Sequence, residues 1–172
     1  MQKRKDNGKI KKKQVGDINM EKIRGFEVAK GFENEDIHLP IRKTKYSAAY
    51  DFEAAEDTVI PSFQKGMKPT LIKTGVKAYM PGDEVLLIFP RSSGPKKQGI
   101  LFPHSAGVID KDYYGNPEND GHIFIQCINI KDEDVHIKKG EAIAQGIFLK
   151  FGTVDNDAAE GERMGGFGST GK

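Results

Sequence analysis

Arg91-Ser92-Ser93-Gly94 follows directly on the apolar run at 83–89, so a guanidinium, two hydroxyls and a glycine emerge together where a buried strand ends. Guanidinium forks, hydroxyls and backbone N–H groups left open by glycine are the groups that hold phosphate oxygens. Gln145 interrupts the apolar series Ile143, Ile147, Leu149, an odd place for an amide in a purely structural strand. Near the C-terminus, Arg163 precedes Gly165-Gly166-Phe167-Gly168-Ser169-Thr170-Gly171. That segment joins an arginine, an aromatic ring and many donors on a backbone free to approach a ligand closely. One glycine-rich segment carries little weight; three phosphate-friendly elements in one small chain point toward an anionic ligand such as a triphosphate.

The carboxylates add a second layer. Asp110 closes the run Gly107-Val108-Ile109, just before Tyr113-Tyr114-Gly115. An aspartate at a hairpin entrance commonly forms an Asx turn, and the same position suits a general base that deprotonates an attacking water. Asp51, between Tyr50 and Phe52, reads either as a hydrogen-bonded strand end or as outer-shell support for a phosphate-bound Mg²⁺, which tends to keep its waters. The four histidines lack metal-ligand spacing, which argues against zinc. Neither a P-loop nor a Rossmann fingerprint occurs, so those nucleotide folds are excluded.

These groups need a scaffold, and from Lys22 onward the chain offers short apolar runs broken by turn signals. Residues 83–89, 122–130 and 143–151 read as strands, and Ile37, Leu39 and Ile41 alternate like a half-buried edge strand marked by Pro40. Residues 20–31 form only a weak helical pattern. Many short strands at spacings near ten residues predict an all-β sandwich or barrel. With 172 residues the chain holds one well-buried domain, and its 37% hydrophobic and 30% charged content is that of a soluble globular protein. The net charge of +2 hides a strongly basic block at 1–13, read as a solvated leader within an extension at 1–21; no nucleic-acid partner is inferred from it. The core then spans 22–152, and 153–172 reads as a flexible glycine-rich tail. No apolar run suits a membrane or a secretory signal, and the lone Cys127 reads as a core residue of a cytoplasmic protein.

Taken in order, five segments resemble the motifs of the trimeric dUTPase family, over roughly residues 22–172. They are Ala48-Ala49-Tyr50-Asp51-Phe52, Pro90-Arg91-Ser92-Ser93, Ala106-Gly107-Val108-Ile109-Asp110-Lys111-Asp112-Tyr113, Gly140-Glu141-Ala142-Ile143-Ala144-Gln145, and Arg163 through Gly171. Any one is weak, but five in the right order is strong. Together with Arg24-Gly25-Phe26-Glu27 and the insertion Asn116-Pro117-Glu118-Asn119, they look like the version in Gram-positive bacteria and their phages. The resemblance implies a jelly-roll-like β fold, a homotrimer with active sites between subunits, and Mg²⁺-dependent hydrolysis of dUTP to dUMP and pyrophosphate. Such an activity limits uracil in DNA and supplies dUMP for thymidylate synthesis. By the same resemblance Asp110 activates the water that attacks the α-phosphorus. The hairpin Val108-Ile109-Asp110, with the returning strand near Phe124, presents backbone groups to uracil in a slot that excludes cytosine and thymine, Gly107 also binds substrate, and Tyr113 lies under the deoxyribose. Arg91, Ser92, Ser93 and Gln145 hold phosphates, and Asp51 binds Mg²⁺ through water. Phe167 stacks on uracil, while Arg163, Gly168, Ser169 and Thr170 wrap the outer phosphates as a lid.

Some positions depart from that pattern. His104 stands at a common asparagine that helps hold a water near uracil, and the 116–120 insertion lengthens the hairpin after Tyr113. Two other readings compete. A dCTP deaminase of the same fold would also carry an Arg-Ser-Ser segment, but it would have a glutamate base near Asp110 and lack the Gly-Gly-Phe-Gly-Ser tail. A nucleotide-gated module binding a repressor protein would use the basic arm or the insertion.

Overall fold

The run Glu84-Val85-Leu86-Leu87-Ile88-Phe89 contains no turn former, and it folds as strand β6 (Glu84–Pro90). The computed structural model describes residues 22–166; residues 1–21 and the tail positions Phe167, Gly168, Ser169 and Thr170 lie outside the described residues. The strands before β6 are β1 (Gly25–Val28), β2 (Tyr50–Glu53), β3 (Thr58–Ile60), β4 (Thr70–Lys73) and β5 (Val76–Tyr79). After it come β7 (Ile100–Leu101), β8 (Gly107–Ile109), β9 (Phe124–Asn129), β10 (Val135–Ile137) and β11 (Ala142–Lys150). Between strands the helical content is limited to short turns at Phe63–Lys65, Gly94–Gln98 and Lys111–Tyr113. The all-β expectation holds.

The strands pair antiparallel into a four-stranded sheet β2-β11-β6-β8, a three-stranded sheet β4-β9-β7, and the pairs β1-β5 and β3-β10. Alternation decides what each sheet buries. On β6, Leu86 and Ile88 point into the core with Phe52, Ile72 and Ile125, whereas Val85, Leu87 and Phe89 stay half-buried on the other face. Glu84 is buried too, and Arg24 answers it with a two-pronged contact, Nε to Oε2 at 2.7 Å and Nη2 to Oε1 at 2.5 Å. Cys127 sits fully inside on β9, where burial pushes its thiol up to about 12.

The outward face of the four-stranded sheet is also apolar. Val108, Leu87 and Ile147 sit opposite one another across β8, β6 and β11, and Val85 sits opposite Leu149. Val108 is 60% exposed and Leu149 45% exposed, so an apolar face is left open on the single chain.

Two local expectations fail. The weak helix at 20–31 is replaced by β1, because Phe26 turns into an aromatic cluster with Tyr50, Phe52 and Phe148 and pairing with β5 outweighs the faint helical pattern. Residues 37–41 form no strand: only an isolated bridge joins Ile41 to Asp51, and Leu39 and Ile41 are exposed. Pro40 lacks a donor and restricts Leu39 before it, so the ladder stops at one rung.

Gly146, in the middle of β11, permits a close approach in the core. A Cβ there would lie 2.7 Å from Phe52 Cε2 and 3.0 Å from the Cδ1 atoms of Ile88 and Leu86. Those side chains are essentially sealed and cannot swing aside. Gly146→Ala is therefore expected to cost about 1–3 kcal/mol by overpacking, measured by urea denaturation.

Candidate active site

β8 is only three residues long, and it pairs with β6 through Leu86–Ile109, Leu87–Val108 and Ile88–Gly107. It ends at Asp110, whose backbone is extended before the turn at Lys111–Tyr113. Beside β8 opens a cleft of about 310 Å³. Six residues expected from sequence line it together: His104, Gly107, Val108, Ile109, Tyr113 and Phe124. Arg163 lines it as well, and also borders a second hollow formed by Asp110, Lys111, Asp112 and Phe151.

Tyr113 forms the sealed floor. Its hydroxyl donates to the His122 carbonyl at 2.7 Å and accepts from Asn119 Nδ2 at 2.9 Å, and burial raises its pKa. His104 bends back so that Nδ1 lies 2.8 Å from the Ala106 carbonyl. A carbonyl only accepts, so in the neutral ring Nδ1 carries the proton and Nε2 is left as an acceptor. Arg163 joins both aspartates, Nη2 to Asp110 Oδ2 at 2.5 Å and Nε to Asp112 Oδ1 at 2.7 Å.

The other expected residues gather elsewhere. Arg91 Nη2 lies 3.4 Å from Asp51 Oδ2 and Nη1 donates to the Ala142 carbonyl at 3.2 Å. Gln145, directly opposite Asp51 in the β2–β11 pairing, donates to the Pro90 carbonyl at 3.0 Å. Ser92 is exposed and Ser93 half-buried at the head of the turn that follows. This group occupies the far end of β6. Asp110 follows Ile109, which pairs with Leu86, so continuing that register brings it level with Val85, six residues before Arg91, which is about 20 Å at the rise of an extended strand.

For a metal, Asp51 supplies a single carboxylate, and the described residues contain no group of three or more His, Cys, Asp or Glu that would cage one. That donor set fits Mg²⁺ carried mainly by phosphate and water.

Sequence reading missed Gln126, whose side chain lines the cleft two residues after Phe124 on the same face of β9. Period-two spacing from Phe124 was the available signal. It also missed Asp112 and Glu118 as partners of the tail, because such contacts between distant segments leave no local pattern.

Fold and cleft together define an all-β protein with a small cleft beside β8, lined by apolar residues with His104, Gln126 and Arg163. The family model described as dUTPase matches residues 35–171. The deoxyuridine 5'-triphosphate nucleotidohydrolase of Lactococcus lactis subsp. lactis is 52% identical over 152 residues, which is 87% of this chain and 99% of that one. Its counterpart in Rickettsia felis is 37% identical over 147 residues, covering 83% and 94%. The crystal structure of dUTPase from Streptococcus mutans superposes with a TM-score of 0.69 at 43% identity, over 77% of this chain and 99% of that chain. The chain belongs to the dUTPase family.

Behind the cleft, His122 is buried between Phe32 and Phe124, with ring centroids 4.7 and 4.1 Å away. Its Nε2 accepts the Gly75 N–H at 3.0 Å, and burial pushes its pKa down to about 4. The folded value lies below the ordinary 6.5, so the unfolded chain takes up this proton first. Stability is therefore full above about 6.5 and falls as pH drops toward about 4, by on the order of 3 kcal/mol. Urea denaturation across that window tests it, and His122→Gln is expected to flatten the slope there.

Proposed function

We propose that this chain hydrolyses dUTP to dUMP and pyrophosphate in the cytoplasm, as a homotrimer whose active sites lie between subunits. The observation that carries the reaction is Asp110, which follows the last residue of β8, lines the hollow it shares with Arg163, and is in reach of that arginine of the tail. Water attacks the α-phosphorus in line and gives its proton to the Asp110 carboxylate. The bond from the α-phosphorus to the bridging oxygen breaks, and pyrophosphate leaves.

Uracil selection is supported by the position of β8 at the edge of its sheet. The β8 backbone groups facing away from β6 are outside that ladder and are free to read the edge of a base. Gly107 to Ile109, facing Phe124, make a slot in which cytosine's amine would meet a donor and thymine's methyl would clash. Tyr113 below leaves no room for a 2′-hydroxyl. Arg163 exchanges its aspartates for the outer phosphates, and Phe167 with Gly168, Ser169 and Thr170 closes over the nucleotide. Mg²⁺, when bound, neutralises phosphate charge and orients the leaving group, and Asp51 would hold it through water.

The trimer reading rests on two features. Asp110 and Arg91 stand about 20 Å apart on one chain, farther than a triphosphate reaches, so both act at one site only when different subunits supply them. The open apolar face of Val85, Leu87, Val108, Ile147 and Leu149 gives those subunits a surface to bury. Among the described residues no helix is long and apolar enough to cross a membrane.

Pyrophosphate release from dUTP, dCTP, dTTP and UTP tests the reaction. Turnover of dUTP alone is expected, with Asp110→Asn reducing kcat about 10²–10⁴-fold; equal activity on dTTP, or ammonia from dCTP, would overturn it. Truncation before Arg163 is expected to remove most turnover while leaving the β core folded by circular dichroism. Sedimentation of the native chain should give three times the mass of one chain.

A further inference from the structure

We infer that Glu118 is a positioning residue: it is the post on which the C-terminal segment docks, and it explains why that segment carries glycine at 165. The inference rests on the lid reading above and names the surface that the lid uses. Gly166 donates its N–H to Glu118 Oε2 at 2.8 Å, a hydrogen bond strengthened by the carboxylate's charge.

The space around the segment makes a second, separate argument. A Cβ on Gly165 would fall 2.0 Å from Glu118 Oε2 and 3.0 Å from its Cδ. A Cβ on Gly166 would fall 3.0 Å from Tyr113 Cε2. Both glycines are buried, so the segment runs flat between the carboxylate of Glu118 and the ring that floors the cleft. With Arg163 fixed to Asp110 and Asp112, and Gly166 to Glu118, residues 163–166 are pinned at both ends.

The loop that carries Glu118 is built to hold it still. Asn116 is 5% exposed; its Nδ2 donates to the Tyr113 carbonyl and to Asn119 Oδ1, both at 2.8 Å. Its Oδ1 accepts the N–H groups of Glu118 at 3.1 Å and Asn119 at 3.2 Å. Asp120 then anchors the far side to Lys77 Nζ at 2.7 Å and the Lys30 N–H at 2.9 Å. The loop is thus tied to Tyr113 and to the sheet, and the carboxylate of Glu118 is the group it turns toward the tail.

The test is a double-mutant cycle on the full-length chain, reading kcat and KM for dUTP, with tryptic cleavage after Arg163 followed in the presence of the non-hydrolysable analogue dUpNHpp. Glu118 is exposed, so its variants are expected to keep the fold. Glu118→Ala should lower kcat/KM and speed cleavage after Arg163, and Glu118→Gln, whose amide oxygen still accepts, should recover part of both. Gly165→Ala should cost about tenfold in kcat/KM in the native background and much less beside Glu118→Ala, because the two groups collide. Equal costs in both backgrounds, or native kinetics and cleavage in Glu118→Ala, would overturn the inference. Full activity after truncation before Arg163 would instead remove the lid reading itself, which separates the two failures.

Discussion

The register of β6 against β8 and β11 decides where every part of the site lies. With Leu86 opposite Ile109 and Phe148, the side chains of Leu86 and Ile88 fill the core while Leu87, Val108 and Ile147 face outward. A slip by one residue would exchange those two sets. The same register places Asp110 at the start of β6 and Arg91 beyond its end, so the chain carries two half-sites rather than one. Gly146 keeps that register tight, because only a residue without a side chain lets β11 lie against Phe52 at this point.

Electrostatics around Asp110 follow from this placement. Its carboxylate is 47% exposed, as is about half of Asp112, so water screens both, and Arg163 bridging them adds little to stability. The bridge instead holds the guanidinium beside the cleft, where phosphate oxygens offer a stronger partner than two hydrated carboxylates. In the other half-site, Asp51 is more enclosed, with 12% exposure, and Arg91 supplies its countercharge.

Much of this was legible in the chain because the long strands are written as apolar runs. β6, β9 and β11 stand out for that reason, and the cleft residues stand out because their motifs arrive in order. β1 has only four residues, too few for a period to register, and the 37–41 alternation was cut short by Pro40. Gln145, singled out among apolar neighbours, donates to the Pro90 carbonyl at the far end of β6. However, Ile143 does not share its half-buried face: an irregularity between Ala142 and Ala144 lets Ile143 turn fully inward. Gln126 and Glu118 look ordinary in sequence; only the approach of β9 to β8, and of the tail to the hairpin, gives them a role.

Cys127 has a practical consequence. It is the chain's single cysteine, wholly enclosed on β9, and burial holds its thiol in the protonated, unreactive form. The native molecule is therefore a blank background for thiol chemistry. A cysteine introduced by Val154→Cys, at a position 77% exposed where the chain leaves the sheet, would be its one reactive thiol. A fluorophore or spin label placed there would follow the tail without removing any native residue of the core.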